Sequence, residues 1–231
     1  MYKNKVAVVP LGFDLSRFQE DYESKRNDFR QHYLLEDDEI TIGIIGRLVP
    51  IKNHTLFLEA IDQLLKKTTK KVRVFIIGDG EEKENLTQYC KELHLDFTEF
   101  NQQKKKATIT FTSWIKNVDW VNAGLDIIAL SSLNEGTPVS LIEAQAANNP
   151  IVTTNVGGVE NVVLKDKTGL IVSSGDKQAF SEALLKLVEN DALRKQMSEK
   201  GWEFVKEKFH YERLVNDMRE LYFSLLENNK K

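Results

Sequence analysis

The chain has 231 residues, 41% of them apolar and 29% charged, with acids and bases interspersed to a formal net charge of −3. That balance excludes nucleic acid as the expected partner and fits one large globular domain, or one domain with an appendage. A single cysteine, Cys90, excludes an intrachain disulfide framework and a multi-cysteine zinc site, and no apolar run reaches the ~20 residues of a membrane span. The N-terminus lacks a signal-peptide pattern, so a reducing, cytoplasmic setting is the expectation.

The chain opens on a strand-like run, Val6-Ala7-Val8-Val9-Pro10, followed by Gly12-Phe13-Asp14 and a charged, helical-looking stretch from Arg17 to Leu35. Such an opening suits a chain leaving a preceding domain; an edge strand added to the following sheet is the alternative. From residue 40 the pattern becomes regular. Ile40 to Ile45 is β-branched and almost wholly apolar, as in a strand covered on both faces. A helix is expected from Leu56 to Leu65, a strand from Val72 to Ile77, a Gly78-Asp79-Gly80 turn and a helix from about Glu82 to Leu93. Cys90 falls in that helix and reads as an inert buried thiol.

A strand at Thr108–Phe111 and a short helix near Val118 to Ala123 come next, then strands at Asp126–Leu130, Pro150–Thr154 and Gly169–Val172. Lys104-Lys105-Lys106 reads as a solvated turn. The tail from Lys177 to Leu226 reads as all-helical, broken near Asn190-Asp191 and His210, with Asn228 to Lys231 frayed. Strands and helices alternating in units of this length predict a doubly wound parallel α/β sheet with right-handed crossovers.

In such sheets ligands dock beyond the carboxyl ends of the strands. The loops expected there contain Gly46-Arg47 with Lys52, Gly78-Asp79-Gly80, Ser113-Trp114-Ile115-Lys116, Ser131 to Pro138, and Asn155 to Gly158. Cations, glycines, an aromatic and an acid converge on one edge, a composition suited to a nucleotide diphosphate carrying a polar group. Arg47 offers a bidentate fork and Lys52 a point charge for the diphosphate. Two glutamates stand eight positions apart in Glu135-Gly136-Thr137-Pro138-Val139-Ser140-Leu141-Ile142-Glu143. A helix starting near Pro138 puts Glu135 on the loop and Glu143 on the second helical turn, both facing one crevice. There each would accept hydrogen bonds from a polyol, while the free N–H groups of the helix start point at an anion.

No P-loop and no Gly-x-Ser-x-Gly elbow is present. His32, His54, His94 and His210 are scattered without metal-ligand spacing and read as structural or surface residues.

These segments together resemble the donor-binding, C-terminal half of a retaining glycosyltransferase of the two-Rossmann-domain (GT-B) type, the glycosyl transferases group 1 family. Val9 to Asp14 with Phe18 resembles that family's interdomain linker. Ile45-Gly46-Arg47-Leu48 with Lys52 resembles its Gly-Arg-Leu-x-x-x-Lys loop, and Glu135 to Glu143 its E-x(7)-E signature. One turn differs: Gly-Thr-Pro follows Glu135 where some members have Gly-Phe-Gly.

The resemblance implies that Arg47, Lys52 and Glu135 act on the reacting donor, the cations stabilising the departing phosphate and Glu135 contacting the sugar. It implies donor contacts at Gly46, Gly136, Thr137, Pro138 and Leu141, ribose binding by Glu143, and reception of the base along Trp114-Ile115. No metal or cofactor is implied; the donor would be a UDP- or GDP-sugar. It divides the chain into a linker and leading helix (1–39), a nucleotide-sugar-binding domain (40–190) and C-terminal helices (191–231) directed toward an N-terminal acceptor-binding half. It leaves open a peripheral membrane association through a lipid-linked acceptor. A nucleotide-sugar epimerase of the same architecture, or a non-catalytic binding module, are the alternatives.

Overall fold

A computed structural model describes residues 6–99 and 105–228. Its strands are β1 (Ile40–Ile45), β2 (Val72–Ile77), β3 (Phe97–Glu99), β4 (Ile109–Ser113), β5 (Ile127–Leu130), β6 (Ile151–Asn155) and β7 (Gly169–Ser173). They form one seven-stranded sheet in the order β3-β4-β2-β1-β5-β6-β7, with every neighbouring pair parallel. All six β1 residues and all six β2 residues are buried, which is why these strands are nearly continuous apolar runs.

Helices α1 (Tyr22–His32), α4 (Val118–Gly124), α5 (Val139–Ala146) and α6 (Val159–Val162) cover one face. Helices α2 (His54–Leu65), α3 (Lys83–Glu92) and α7 (Lys177–Glu189) cover the other. The alternation of β1 feeds both cores: Ile40, Ile42 and Ile44 join Leu56, Phe57 and Ile61 of α2, while Ile45 joins Leu125, Ile128 and Leu130 on the opposite side.

Helix α8 (Asp191–Phe209) closes the face covered by α5 with Val205 and Phe209 and leads into α9 (Tyr211–Asn228). Side-chain caps mark the start of this helical tail and its first break. Asp176 accepts from the Ala179 N–H at 2.9 Å to start α7, and Asn190 accepts from the Leu193 N–H at 2.9 Å to start α8. Caps of this type are each worth about 1 kcal/mol.

Two expectations need correction. The run Val6–Pro10 forms no strand. The chain joins the fold at Phe13 instead, whose N–H donates to Phe209 O at 2.8 Å while Tyr211 N–H donates to Phe13 O at 3.0 Å. Pairing at the junction of α8 and α9 thus takes the place of an edge strand. Second, β3 adds a short edge strand that the sequence pattern does not announce, because three residues carry too little periodicity. Lys106 is exposed, as a solvated turn requires, and is also ion-paired: its Nζ lies 2.9 Å from Glu36 Oε1 and 3.0 Å from Glu39 Oε1. Glu39 is buried and needs such a partner. Lys104 and residues 229–231 lie outside the described residues. Cys90 is fully buried, and desolvation pushes its thiol up to about 12, as an inert core thiol requires.

Candidate functional site

The direction of winding reverses at β1, which has β2 on one side and β5 on the other. The crevice beyond the carboxyl ends of β1 and β5 is therefore the topological switch point of the sheet. Two loops border it, residues 46–53 after β1 and residues 131–138 after β5, with residues 156–158 after β6 alongside.

Backbone and hydroxyl bonds fasten these loops together. Ser131 Oγ donates to the carbonyls of Lys52 (3.0 Å) and Asn53 (2.9 Å), and Leu133 N–H to Ile51 O (2.8 Å). Thr154 Oγ1 donates to Ser132 O at 2.6 Å, and Gly158 N–H to Glu135 O at 3.0 Å. Gly157 and Gly158 allow this last approach. A Cβ at Gly157 would lie 1.9 Å from Glu135 O, and one at Gly158 only 1.8 Å from Gly136 O. Gly157 also holds φ +48°, a conformation L side chains disfavour.

The frame brings Lys52 onto Glu135. Lys52, in a 3-10 turn Pro50–Lys52, places Nζ 2.6 Å from Glu135 Oε1, and Ser132 Oγ donates to the same oxygen at 2.6 Å. No group among the described residues donates to the second oxygen, Glu135 Oε2. Arg47 is exposed, and its guanidinium makes no hydrogen bond or ion pair with a described residue. Gly136 and Thr137 are exposed, and a Cβ at Gly136 would meet nothing within 4 Å. Pro138 is the N-cap of α5 and provides no side-chain cap. The first two N–H groups of α5, those of Val139 and Ser140, therefore have no partner among the described residues. One edge thus combines an unpaired guanidinium, a half-buried ammonium, a carboxylate with a spare oxygen and an uncapped helix start. That set can hold a polyanion together with hydroxyl groups.

Glu143 is reached differently. It sits in the second turn of α5, and its Oε1 lies 3.7 Å from Arg17 Nη2. Burial pushes its carboxyl above the ordinary range, Arg17 pulls it back, and Asp119 adds to the rise. Leu141, two residues before Glu143, is fully buried in the core, and its N–H bonds Pro138 O at 3.1 Å. It supports α5 from inside.

The loops after β2 and β4 lock to each other. Asp79 accepts from Ser113 Oγ at 2.7 Å and from the Gly80 N–H at 2.8 Å, and these bonds lower its carboxyl pKa. Leu48 N–H donates to Asp79 O at 2.9 Å, and Gly46 N–H to Ile77 O at 3.0 Å. Ser113 holds φ +58° immediately before Trp114, which is 57% exposed, and Ile115, which packs on the second core. The Gly-Asp-Gly turn is thus a clamp between the Arg47 loop and the Trp114 segment. His54 is buried at the start of α2, and burial followed by the nearby Lys52 charge lowers it to about 4.

Arg17 escapes sequence reasoning; Ser132, Asp79 and Ser113 lie in loops that the sequence places at this edge, but the bonds they make there do not show in it. Ser132 carried a weak signal, as one of two hydroxyls ending an apolar strand. Arg17 carried none, being far from Glu143 in the chain and on no shared helical face.

The sequence model of the family described as glycosyl transferases group 1 matches residues 25–204. The chain belongs to this family. It is 26% identical over 226 residues to the Escherichia coli UDP-Gal:alpha-D-GlcNAc-diphosphoundecaprenol alpha-1,3-galactosyltransferase, an alignment covering 97% of this chain and 55% of that protein. It is 27% identical over 231 residues to the D-inositol 3-phosphate glycosyltransferase of Corynebacterium urealyticum, covering 97% and 52%. The chain thus spans about half the length of these curated relatives.

Its fold matches Anabaena HepE, solved in complex with UDP, at a TM-score of 0.81 and 18% identity, over 94% of this chain and 57% of that one. It matches the C-terminal domain of a group 1 glycosyl transferase from Francisella tularensis at a TM-score of 0.70 and 24% identity, over 86% of this chain and 99% of that one. The architecture is the Rossmann-like half of a GT-B glycosyltransferase. Among the described residues no helix is long and apolar enough to cross a membrane.

Proposed function

We propose that the switch-point crevice is the donor site of a retaining glycosyltransferase, which transfers a hexosyl group from a nucleoside-diphosphate sugar to a glycan or lipid-linked acceptor. The observation that carries this reading is the Lys52–Glu135 pair, with unpaired Arg47 on the same loop as Lys52. Arg47, Lys52 and the uncapped start of α5 would take the diphosphate. Stabilising a departing diphosphate is electrostatic work, and fixed cations with helix N–H groups supply it. Glu135, through Oε2, would accept from the transferred sugar's hydroxyls, and Glu143 from the ribose. The exposed Trp114 with the Ile115 backbone would receive the base.

The names of the relatives support a sugar-nucleotide donor: the Escherichia coli protein is named for UDP-Gal, and HepE was solved with UDP-glucose as well as UDP. The near-complete overlap with the Francisella tularensis C-terminal domain supports a donor-binding half whose acceptor groups lie on another part of the protein. A lipid-linked acceptor would bring that protein to a membrane face without a spanning helix.

Amide NMR titration with UDP and GDP tests the placement. Shifts should concentrate at Arg47, Gly136, Gly157 and Ile115. A charged cleft of about 540 Å³ at the opposite sheet edge, lined by Arg26, Lys71 and Arg194, should stay silent. Its charges are already paired, Arg26 with Asp126 at 2.6 Å and Lys71 with Glu36 at 2.7 Å. Shifts confined to that cleft would refute the reading.

A further inference from the structure

The turn Ser16–Phe18 belongs to none of the repeating strand–helix units, yet it reaches the site. Leu15 and Phe18 are buried in the second core with residues of α4 and α5, which fixes the backbone between them. Lys25 Nζ clamps that backbone from α1, donating to Arg17 O at 2.7 Å and Glu20 O at 2.8 Å. Between two anchored side chains Arg17 points outward, its guanidinium carbon 5.1 Å from the Phe18 ring centroid and its Nη2 3.7 Å from Glu143 Oε1. The Arg17 side chain is 46% exposed and that of Glu143 only 19%. The cation therefore stands at the mouth of a carboxylate that is mostly covered.

We propose that Arg17 is a positioning residue of the donor site, holding the Glu143 carboxylate toward the crevice so that it can accept from ribose hydroxyls. This rests on the donor reading given above. A carboxylate on one helical turn has several rotamers, and an anchored guanidinium selects the one that faces it. Charge acts in the same direction. Arg17 from the turn and Asp119 from α4 act on Glu143 with opposite signs, and Lys25 of α1, 3.0 Å from Asp119 Oδ2, offsets the latter. Without Arg17 the buried carboxyl would take up its proton at a higher pH and lose acceptor capacity. The segment ahead of the α/β frame would then be part of the nucleotide site and not a passive connector.

Calorimetry with UDP and GDP on the whole chain, from pH 5 to pH 8, tests this on four variants: Arg17→Gln, Arg17→Lys, Glu143→Gln and the Arg17→Gln/Glu143→Gln pair. Arg17→Gln should weaken the bound nucleotide about 3- to 10-fold at pH 7, the size of coupling expected between contacting charged residues. Its affinity should also start to fall at a higher pH than in the unmodified chain. Arg17→Lys should restore most of the loss, and in the Glu143→Gln background Arg17→Gln should change little. The Arg17 role is overturned if Arg17→Gln keeps the affinity and pH profile of the unmodified chain. It is equally overturned if Arg17→Gln loses as much affinity in the Glu143→Gln background, since Arg17 would then contact the ligand itself. Failure of the unmodified chain to bind either nucleotide is a different result, and overturns the donor reading beneath it.

Discussion

The ammonium of Lys52 and the carboxylate of Glu135 meet at 2.6 Å although 83 positions separate them in the chain. The meeting is made by loop-to-loop bonds, not by the two side chains: Ser131 holds the backbone of the Lys52 turn, and Gly158 holds the Glu135 carbonyl. An ion pair between half-buried groups is worth little in isolation. Its interest lies in what a ligand would do to it, since a diphosphate competes with Glu135 for Lys52.

That competition gives the first prediction. In Glu135→Gln the Lys52 ammonium is released, so a bare nucleoside diphosphate should bind as tightly as before or a few-fold tighter. The sugar nucleotide should lose its advantage over the bare diphosphate. Lys52→Ala should weaken both by about 10- to 100-fold, the worth of a charge-assisted hydrogen bond. Competition binding with UDP and UDP-glucose measures both ratios, and identical ratios in all three proteins would detach the pair from the donor.

Glu143 should trade stability for binding. Its folded-state carboxyl is raised above the ordinary value of 4.5 by burial. The folded chain therefore holds the proton more strongly than the unfolded one, and stability is lost as pH rises from 4.5 through the raised value. Glu143→Gln should thus raise the melting temperature at pH 7 by roughly 1–3 °C while reducing nucleotide affinity. Scanning calorimetry at pH 7 decides it; a lowered melting temperature would show that the Arg17 contact outweighs the burial cost.

Gly157 should tolerate no side chain. A Cβ there would meet Glu135 O at 1.9 Å with φ at +48°. Gly157→Ala should cost about 1–3 kcal/mol and lower the melting temperature by roughly 3–8 °C. Nucleotide binding should fall further than the stability loss explains, because the displaced carbonyl belongs to Glu135. Gly175, with φ +81° and nothing near its Cβ, is the comparison: Gly175→Ala should lower stability but leave binding unchanged.

His54 sets an acid limit on the fold. Its folded-state value is depressed from 6.5 to about 4, so its contribution is complete above 6.5 and is lost as pH falls toward 4. Between pH 7 and pH 5 the unmodified chain should lose about 1–2 kcal/mol more in urea unfolding than His54→Gln. Parallel losses in the two proteins would remove His54 from the account.

Much of the fold is legible in the sequence because buried parallel strands write themselves as apolar runs. Ile40–Ile45 and Val72–Ile77 are read to the residue, and Asn190 marks the start of α8 by its capping chemistry. The spacing of Glu135 and Glu143 about a helix beginning at Val139 is legible for the same local reasons. What escapes is tertiary. Nothing in the local pattern says that Arg17 meets Glu143, or that Asp79 pins Ser113 at φ +58°. Nor does apolarity alone distinguish Val6–Pro10, which pairs with nothing in the sheet, from a strand. Leu141, inside the motif, is core and not surface, because the helix that presents Glu143 must bury its opposite face.

The central claim is that the switch-point edge holds a nucleoside diphosphate between Arg47 and Lys52. Isothermal calorimetry of the chain against UDP and GDP, repeated on the Arg47→Ala/Lys52→Ala double variant, tests it most directly. The account predicts that at least one nucleotide binds at a single site in the unmodified chain, and that heat is lost in the folded double variant. Binding by neither nucleotide, or equal binding by both proteins, would contradict it.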